Sequence, residues 1–238
     1  MTLRAVLWDV DGTIAETEDE GHRMAFNLAF EERGLPWRWD AAHYGVLLRV
    51  AGGRERLLHD MAGRDEAPPD GPARDALARE LHRLKNAYYA LIVEHGRIRL
   101  RPGVLRLMTE CAEAGLAQAI VTTTSRTNVQ ALFPGLFGPF WATRFATVVC
   151  AEDAPSKKPD PLAYRMALRQ LGVAPGQAVA LEDSPNGLRA ARAAGIACVV
   201  TRSLFFREAS FEGAALVCEH LDGPPVVDLP RLKACLQL

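Results

Sequence analysis

Along the chain the apolar positions fall into three regimes. The first is short: Leu3-Arg4-Ala5-Val6-Leu7-Trp8, almost continuously apolar, halts at Asp9-Val10-Asp11-Gly12-Thr13. Such a run predicts a strand buried on both faces of a parallel sheet, and Gly12 lets the chain turn sharply after it. In the second regime, from about Ala15 to Glu94, no strand of that kind recurs. Ala25, Leu28 and Ala29 with Phe26 and Phe30 predict a helix over about 18–33, ended by Gly34 and Pro36. Leu77, Leu81, Leu84, Tyr88 and Leu91 advance by alternating steps of four and three, one apolar stripe on a helix over about 72–95. With the proline-containing turn from Gly63 to Pro72, the stretch reads as a four-helix insertion.

In the third regime, from Pro102 onward, strands and helices alternate. Val104, Leu107, Met108 and Cys111 mark one helix face, closed by Gly115. Predicted strands follow at 117–123, 146–150, 178–183, 197–201 and 215–218. Predicted helices separate them, at 161–171 with Tyr164, Leu168 and Leu171 on one face and at 185–194. Alternation with helices of this length implies right-handed crossovers and an α/β, doubly wound parallel-sheet core. The expected division is a core of residues 1–15 and 96–238 and a helical cap of residues 16–95.

Composition refines this picture in a few places. The 238 residues, 49% hydrophobic, suffice for a substantial core, and 28 basic against 29 acidic residues disfavour a nucleic-acid or anionic-membrane partner. Cys111, Cys150, Cys198, Cys218 and Cys235 are scattered with no C-x-x-C pair, which argues against a zinc site and a disulfide framework. No signal-like segment or apolar run of roughly eighteen residues occurs, so a soluble, cytoplasmic protein, expected to be a monomer, is read.

The chemistry collects where predicted strands end, the place where open parallel sheets bind ligands. Asp-x-Asp on an extended backbone sends Asp9 and Asp11 the same way and crowds negative charge unless a divalent cation joins them. An ordinary strand-to-turn junction fits that run as well. Thr122-Thr123-Thr124-Ser125 offers hydroxyls and backbone donors for phosphate oxygens, or a helix cap. Glu182-Asp183 ends the 178–183 strand, with Ser184 as N-cap and Pro185 at the first helical position. Lys158 sits beside a stiff proline turn, where a lone lysine is usually solvated. Taken together, two carboxylate pairs, a hydroxyl cluster and a lysine are the parts phosphoryl transfer needs.

In order along the chain, Asp9-x-Asp11-Gly12-Thr13, Thr123, Lys158-Pro159 and Glu182-Asp183-Ser184 resemble the four motifs of the haloacid dehalogenase superfamily, and the resemblance covers essentially the whole sequence. The helical insertion resembles the cap of its β-phosphoglucomutase-like branch. Ala15-Glu16-Thr17-Glu18, His22-Arg23, Gly52-Gly53-Arg54-Glu55 and His82-Arg83 are similar to the CbbY family of sugar-bisphosphate phosphatases. The resemblance implies Asp9 as nucleophile, Asp11 as general acid and base, and Lys158 and Thr123 as holders of the phosphoryl group. It implies Mg²⁺ held by Asp9, the Asp11 carbonyl, Asp183 and Glu182. Glu18, Gly52, Gly53, Arg54, Thr122, Thr124 and Ser125 would contact substrate, and Arg49, Arg54, His82 and Lys85 a second phosphate, although Arg83 and Lys85 also fit a solvated helix face. The implied substrate is xylulose 1,5-bisphosphate, a Rubisco inhibitor, cleared in the Calvin cycle. Thr17 to His22 is one residue longer than in the family, which would displace Glu18 and His22. A β-phosphoglucomutase, a broad sugar-phosphate or phosphoglycolate phosphatase, and a phosphometabolite-sensing module are the other readings.

Overall fold

The computed structural model describes residues 2–237. Strands β1 (Ala5–Trp8), β2 (Ala117–Val121), β3 (Thr147–Val149), β4 (Ala178–Glu182), β5 (Ala197–Thr201) and β6 (Leu216–Cys218) form one sheet. Their spatial order is β3-β2-β1-β4-β5-β6, and every neighbouring pair is parallel. The chain leaves β1 towards one edge and later returns to β1's other side, so the carboxyl end of β1 opens at a topological switch point.

Between β1 and β2 all regular structure is helical. A π-helical turn (Glu18–Arg23) runs into α1 (Met24–Glu32), then α2 (Ala41–Leu47), α3 (Gly53–Met61), α4 (Pro72–Glu94) and α5 (Val104–Glu113). Helices α6 (Arg126–Phe137), α7 (Leu162–Leu171) and α8 (Pro185–Ala193) alternate with the later strands, and α9 (Leu229–Ala234) follows β6.

The period of two along each strand divides the core into two layers. Ala5 and Leu7 of β1 and Ala178 and Ala180 of β4 pack with Tyr164, Ala167 and Leu168 of α7 and with α8. Val6, Trp8, Val179 and Leu181 join Leu107 and Met108 of α5, Leu132 and Phe133 of α6 and Leu232 of α9. The buried indole of Trp8 is satisfied by Gln118 Oε1 at 3.0 Å, whose own amide donates to the Met108 carbonyl. All five cysteines are buried and free.

A third apolar cluster belongs to the inserted helices: Phe26 and Phe30 of α1, Trp37, Trp39, Tyr44 of α2, Leu57 and Met61 of α3, and Ala78, Leu81 and Leu84 of α4. The stripe expected on α4 needs one correction. Leu91 is 52% exposed, and the buried face passes instead through Tyr89 and Val93, which join the sheet's cluster beside α6. The first half of α4 packs in the third cluster and its second half on the sheet's cluster, so the buried face turns from Leu81 and Leu84 to Tyr89 and Val93.

The turn after Thr17 is wider than an α-helical one. The Thr17 carbonyl accepts both the Gly21 and the His22 amides, at 3.1 and 2.8 Å, so the turn closes five residues apart. In an α-helix residues five apart lie about 140° from each other. The wider turn holds Thr17 and His22 on one side.

Truncating Leu81, fully buried in the third cluster, to alanine is expected to cost about 3 kcal/mol, the ordinary cost of a leucine-sized cavity. Denaturant unfolding measures it; a loss under about 1 kcal/mol would mean that the site collapses around the missing atoms.

Candidate active site

The strand period also selects which polar groups meet. Asp9 continues the Ala5–Leu7 side of β1, and Glu182 the Ala178–Ala180 side of β4, so both carboxylates face the layer that holds α7. Lys158 comes up between them, donating from Nζ to Asp9 Oδ1 at 2.6 Å, Glu182 Oε1 at 2.6 Å and the Val121 carbonyl at 2.8 Å. Burial opposes its charge, but Asp9 and Glu182 outweigh that and raise its pKa above the usual lysine value. Tyr164 of α7 donates its hydroxyl to the same Glu182 oxygen at 2.6 Å. The phenol stays protonated there, because burial and the Glu182 charge both push its pKa up.

Asp183 turns towards β1. Ser203, just past β5, donates its hydroxyl to Asp183 Oδ2 at 2.6 Å, and among the described residues no cationic side chain pairs with Asp183. Gly12, at φ +82°, passes so close that a Cβ there would lie 2.1 Å from Asp183 Oδ2. Oxygens of Asp9, Glu182 and Asp183 lie within 4.8 Å of one another, all buried. Burial raises both Asp9 and Asp183 well above their ordinary value; the Glu182 charge adds to this at both, and the Asp9 charge at Asp183, while Lys158 acts against it at Asp9. Three acids against one ammonium leave a deficit of positive charge, and an all-oxygen donor set is what a hard divalent cation takes. The residues fit a metal of that kind.

Asp11 faces the other way. Its Oδ1 accepts the Thr17 hydroxyl at 2.5 Å and meets His22 Nε2 at 2.9 Å. Lys85 of α4 lies 2.8 Å from His22 Nδ1. An ammonium only donates, so Nδ1 is the acceptor and Nε2 carries the proton given to Asp11. Burial would push Asp11 up, but His22, Thr17 and Lys85 together hold it at about 2, a carboxylate at neutral pH. Lys85, buried beside the rings of Phe26 and Tyr89, is pulled down by desolvation to about 7.

Above these groups lies a cavity of about 340 Å³. Asp11, Thr123, Thr124, Ser125, Asn128 and Lys157 line it from the sheet side, and Glu18, Gly52–Arg56, His82 and Lys85 from the helical insertion. A recess of about 60 Å³ continues from it to Asp9, Lys158 and Asp183. Both are shared by Asp11, Glu18, Arg56 and Thr123. Glu18 Oε2 accepts the Tyr44 hydroxyl at 2.5 Å, and the Tyr44 hydroxyl oxygen in turn accepts from Arg56 Nη1 at 3.0 Å.

Comparison with known proteins agrees with this geometry. A family model described as haloacid dehalogenase-like hydrolase matches residues 3–195. The chain belongs to the haloacid dehalogenase-like hydrolases. Protein CbbY of Cupriavidus necator is 46% identical over 96% of this hydrolase and 89% of its own length. The crystal structure of CbbY from Rhodobacter sphaeroides in complex with phosphate superposes with a TM-score of 0.89 at 38% identity, covering all of both chains. A mutant of that protein in complex with xylulose-(1,5)bisphosphate gives 0.90 at 38% identity, over 98% and 100%.

Within this hydrolase the expected site residues sort clearly. Asp9, Asp11, Thr123, Lys158 and Asp183 come together at the recess, with Glu182 directly behind Lys158. The Asp-x-Asp pair does not share one point, because β1 ends at Trp8 and the chain turns, so the Asp11 carboxylate stands apart from the three-acid group. Glu18, Gly52, Gly53, Arg54, His82, Lys85, Thr124 and Ser125 line the cavity as expected, although the Ser125 hydroxyl also caps α6. Thr122 does not line either space: it is buried, and its hydroxyl accepts the Thr124 amide. Arg49 is also outside. Leu47 and Leu48 turn into the third apolar cluster, which leaves Arg49 exposed on a separate groove beside Arg189 and Phe206. Among the four groups expected around a second phosphate, Arg54 is paired with Asp75 at 3.0 Å yet has a buried Nε with no partner, and desolvation followed by Lys85 lowers His82 to about 4, leaving it neutral.

His22, Arg56, Tyr164, Ser203 and Asn128 are the groups not anticipated. For Tyr164 a signal was present, since a tyrosine on the apolar face of a buried helix needs a partner for its hydroxyl. Arg56 depends on Tyr44, 12 residues away, and Ser203 on Asp183, 20 residues away, contacts that no local spacing reveals.

Gly187 offers a sharp test of the packing behind the site. A Cβ there would lie 1.8 Å from Glu182 Oε2. Alanine normally stabilises a helix interior over glycine by about 1 kcal/mol; Gly187→Ala is expected to destabilise by about 1–3 kcal/mol instead, as overpacking does. Thermal unfolding decides it, and a stabilised variant would contradict the placement of Glu182.

Proposed function

We propose that this hydrolase is a Mg²⁺-dependent phosphatase of sugar bisphosphates, with xylulose 1,5-bisphosphate as substrate and a role in the Calvin cycle. One observation carries the reading: an Asp9–Lys158 pair in a small recess opens into a larger cavity whose roof supplies Lys85, Arg56 and Arg54. The recess takes one phosphate, and Lys85 and Arg56 of the roof, set beside Glu18 and Glu55, are the cations that would meet a second anionic group. The names and bound ligands of its relatives support the same choice.

Asp9 attacks phosphorus as a carboxylate, forming an aspartyl phosphate as the bond to the sugar oxygen breaks. Asp11 gives that oxygen a proton. A neighbouring anionic phosphoryl group raises the affinity of Asp11 for the proton it delivers. In the second step Asp11 is the carboxylate its low pKa favours, and takes a proton from the water that attacks the intermediate. His22, fixed by Lys85, and Thr17 orient Asp11 through both steps. Lys158 and Thr123 hold the phosphoryl oxygens. Asp9, Asp183, Glu182 and the Asp11 carbonyl are the groups that would hold Mg²⁺, which when bound offsets charge on the transferring phosphoryl group. The helical insertion, residues 16–95, acts as the cap: Glu18 takes sugar hydroxyls, Gly52 and the first residues of α3, Gly53 and Arg54, roof the pocket, and closure keeps bulk water from the first step.

Asp9→Asn is expected to lower phosphate release by on the order of 10⁴-fold or more, with the fold kept, as loss of a nucleophile does. The assay uses Mg²⁺ and a panel of xylulose 1,5-bisphosphate, ribulose 1,5-bisphosphate, phosphoglycolate and glucose 1-phosphate. An active Asp9→Asn protein would remove the nucleophile assignment, and isomerisation of glucose 1-phosphate without net release would make the enzyme a mutase. The pH dependence follows from Lys85. With its pKa at about 7, Lys85 is charged below that pH and neutral above it. Thus kcat/KM for the bisphosphate falls as pH rises through about 7, and Lys85→Arg flattens the fall. A monophosphate measured alongside separates this from the substrate's own ionisation; an identical profile for both would show that Lys85 does not meet the second phosphate.

A further inference from the structure

Arg101 lies on the segment that returns from the helical insertion to the sheet, outside both the recess and the cavity, and its side chain is only 8% exposed. Its guanidinium reaches three separate stretches of chain. Nη1 donates to the Gly12 carbonyl and to Thr201 Oγ1 at 2.9 Å; Nη2 donates to the Arg202 carbonyl at 2.5 Å and the Glu219 carbonyl at 2.8 Å. Nε meets Glu16 Oε1 at 3.3 Å, and the Arg101 amide donates to the Ile14 carbonyl at 2.9 Å. Glu16 stands on the outgoing connection and Arg101 on the returning one, and Ala15 and Leu100 form an antiparallel bridge between them.

Two of the clamped carbonyls have a shared neighbour. Gly12 presses its Cα side against Asp183 Oδ2, and Ser203, the residue after Arg202, donates its hydroxyl to the same oxygen. Both supports of the Asp183 carboxylate are therefore held by one planar fork. We propose that Arg101 is a positioning residue for the metal site, which sets the Asp183 carboxylate through Gly12 and Ser203 and ties its placement to the connections of the helical insertion. This rests on the reading of Asp183 as a metal ligand. Supporting groups of this sort govern metal affinity by fixing ligand orientation. A lysine at 101 keeps the charge but cannot spread donors over acceptors on opposite sides.

The test is Mn²⁺ binding to the whole protein without substrate, read from the paramagnetic resonance of the free ion. Arg101→Lys is expected to weaken Mn²⁺ binding by about tenfold, and Ser203→Ala in the same direction by a smaller factor. A role confined to stability would lower the melting temperature and leave the Mn²⁺ dissociation constant unchanged, so a folded Arg101→Lys protein with wild-type affinity overturns the proposal. If that variant does not fold, Ser203→Ala decides, and unchanged affinity there overturns it equally. A wild-type protein that binds no Mn²⁺ removes the metal reading first, and this inference with it.

Discussion

A buried ammonium shared by two carboxylates holds the centre of this molecule. Lys158 lies between Asp9 and Glu182, and each of the three would be costly to bury alone; removing one partner from a buried pair costs about 3–5 kcal/mol, because the survivor stays charged away from water. The arrangement constrains everything around it. β1 and β4 must be neighbours in register, the loop before α7 must reach back over the sheet, and Tyr164 and Gly187 must leave Glu182 its space.

The triad also divides the electrostatics. Lys158 neutralises one side of Asp9, while Asp183 has only a glycine and a serine beside it and no cation to favour its charge. That imbalance is the physical basis for a divalent cation, as a cationic side chain at Asp183 would fill its place. On the other side of the pocket the charges mix, with Lys85, Arg56 and Arg54 set among Glu18 and Glu55. Asp11 stands at the boundary, ionised by the cap's own His22. Its protonation is set by groups that reach it only when the helical insertion packs as it does here. The π turn matters for that reason: by closing five residues apart it brings Thr17 and His22 to one oxygen.

Much of this was legible in the residues. The apolar run into Asp9, the alternating series after Pro102, and the carboxylates, hydroxyls and lysine at strand ends each follow from a local pattern with a local cause. The elements appear where those patterns place them, usually within a residue or two. Leu91 fell outside because the second half of α4 packs against the sheet's cluster through Tyr89 and Val93. Arg49 fell outside because a loop residue's direction depends on which neighbours the core claims.

By itself the chain determined its alternation of strands and helices, the order of its reactive groups and the strand ends that carry them, since hydrophobic period, caps and turns act over a few residues. Only the tertiary structure decided that Thr123 and not Thr122 faces the pocket, that His22 and Lys85 bear on Asp11, that His82 is neutral, and that Arg101 stands behind Asp183. These rest on contacts between segments tens of residues apart and on burial, which changes the charge a side chain carries.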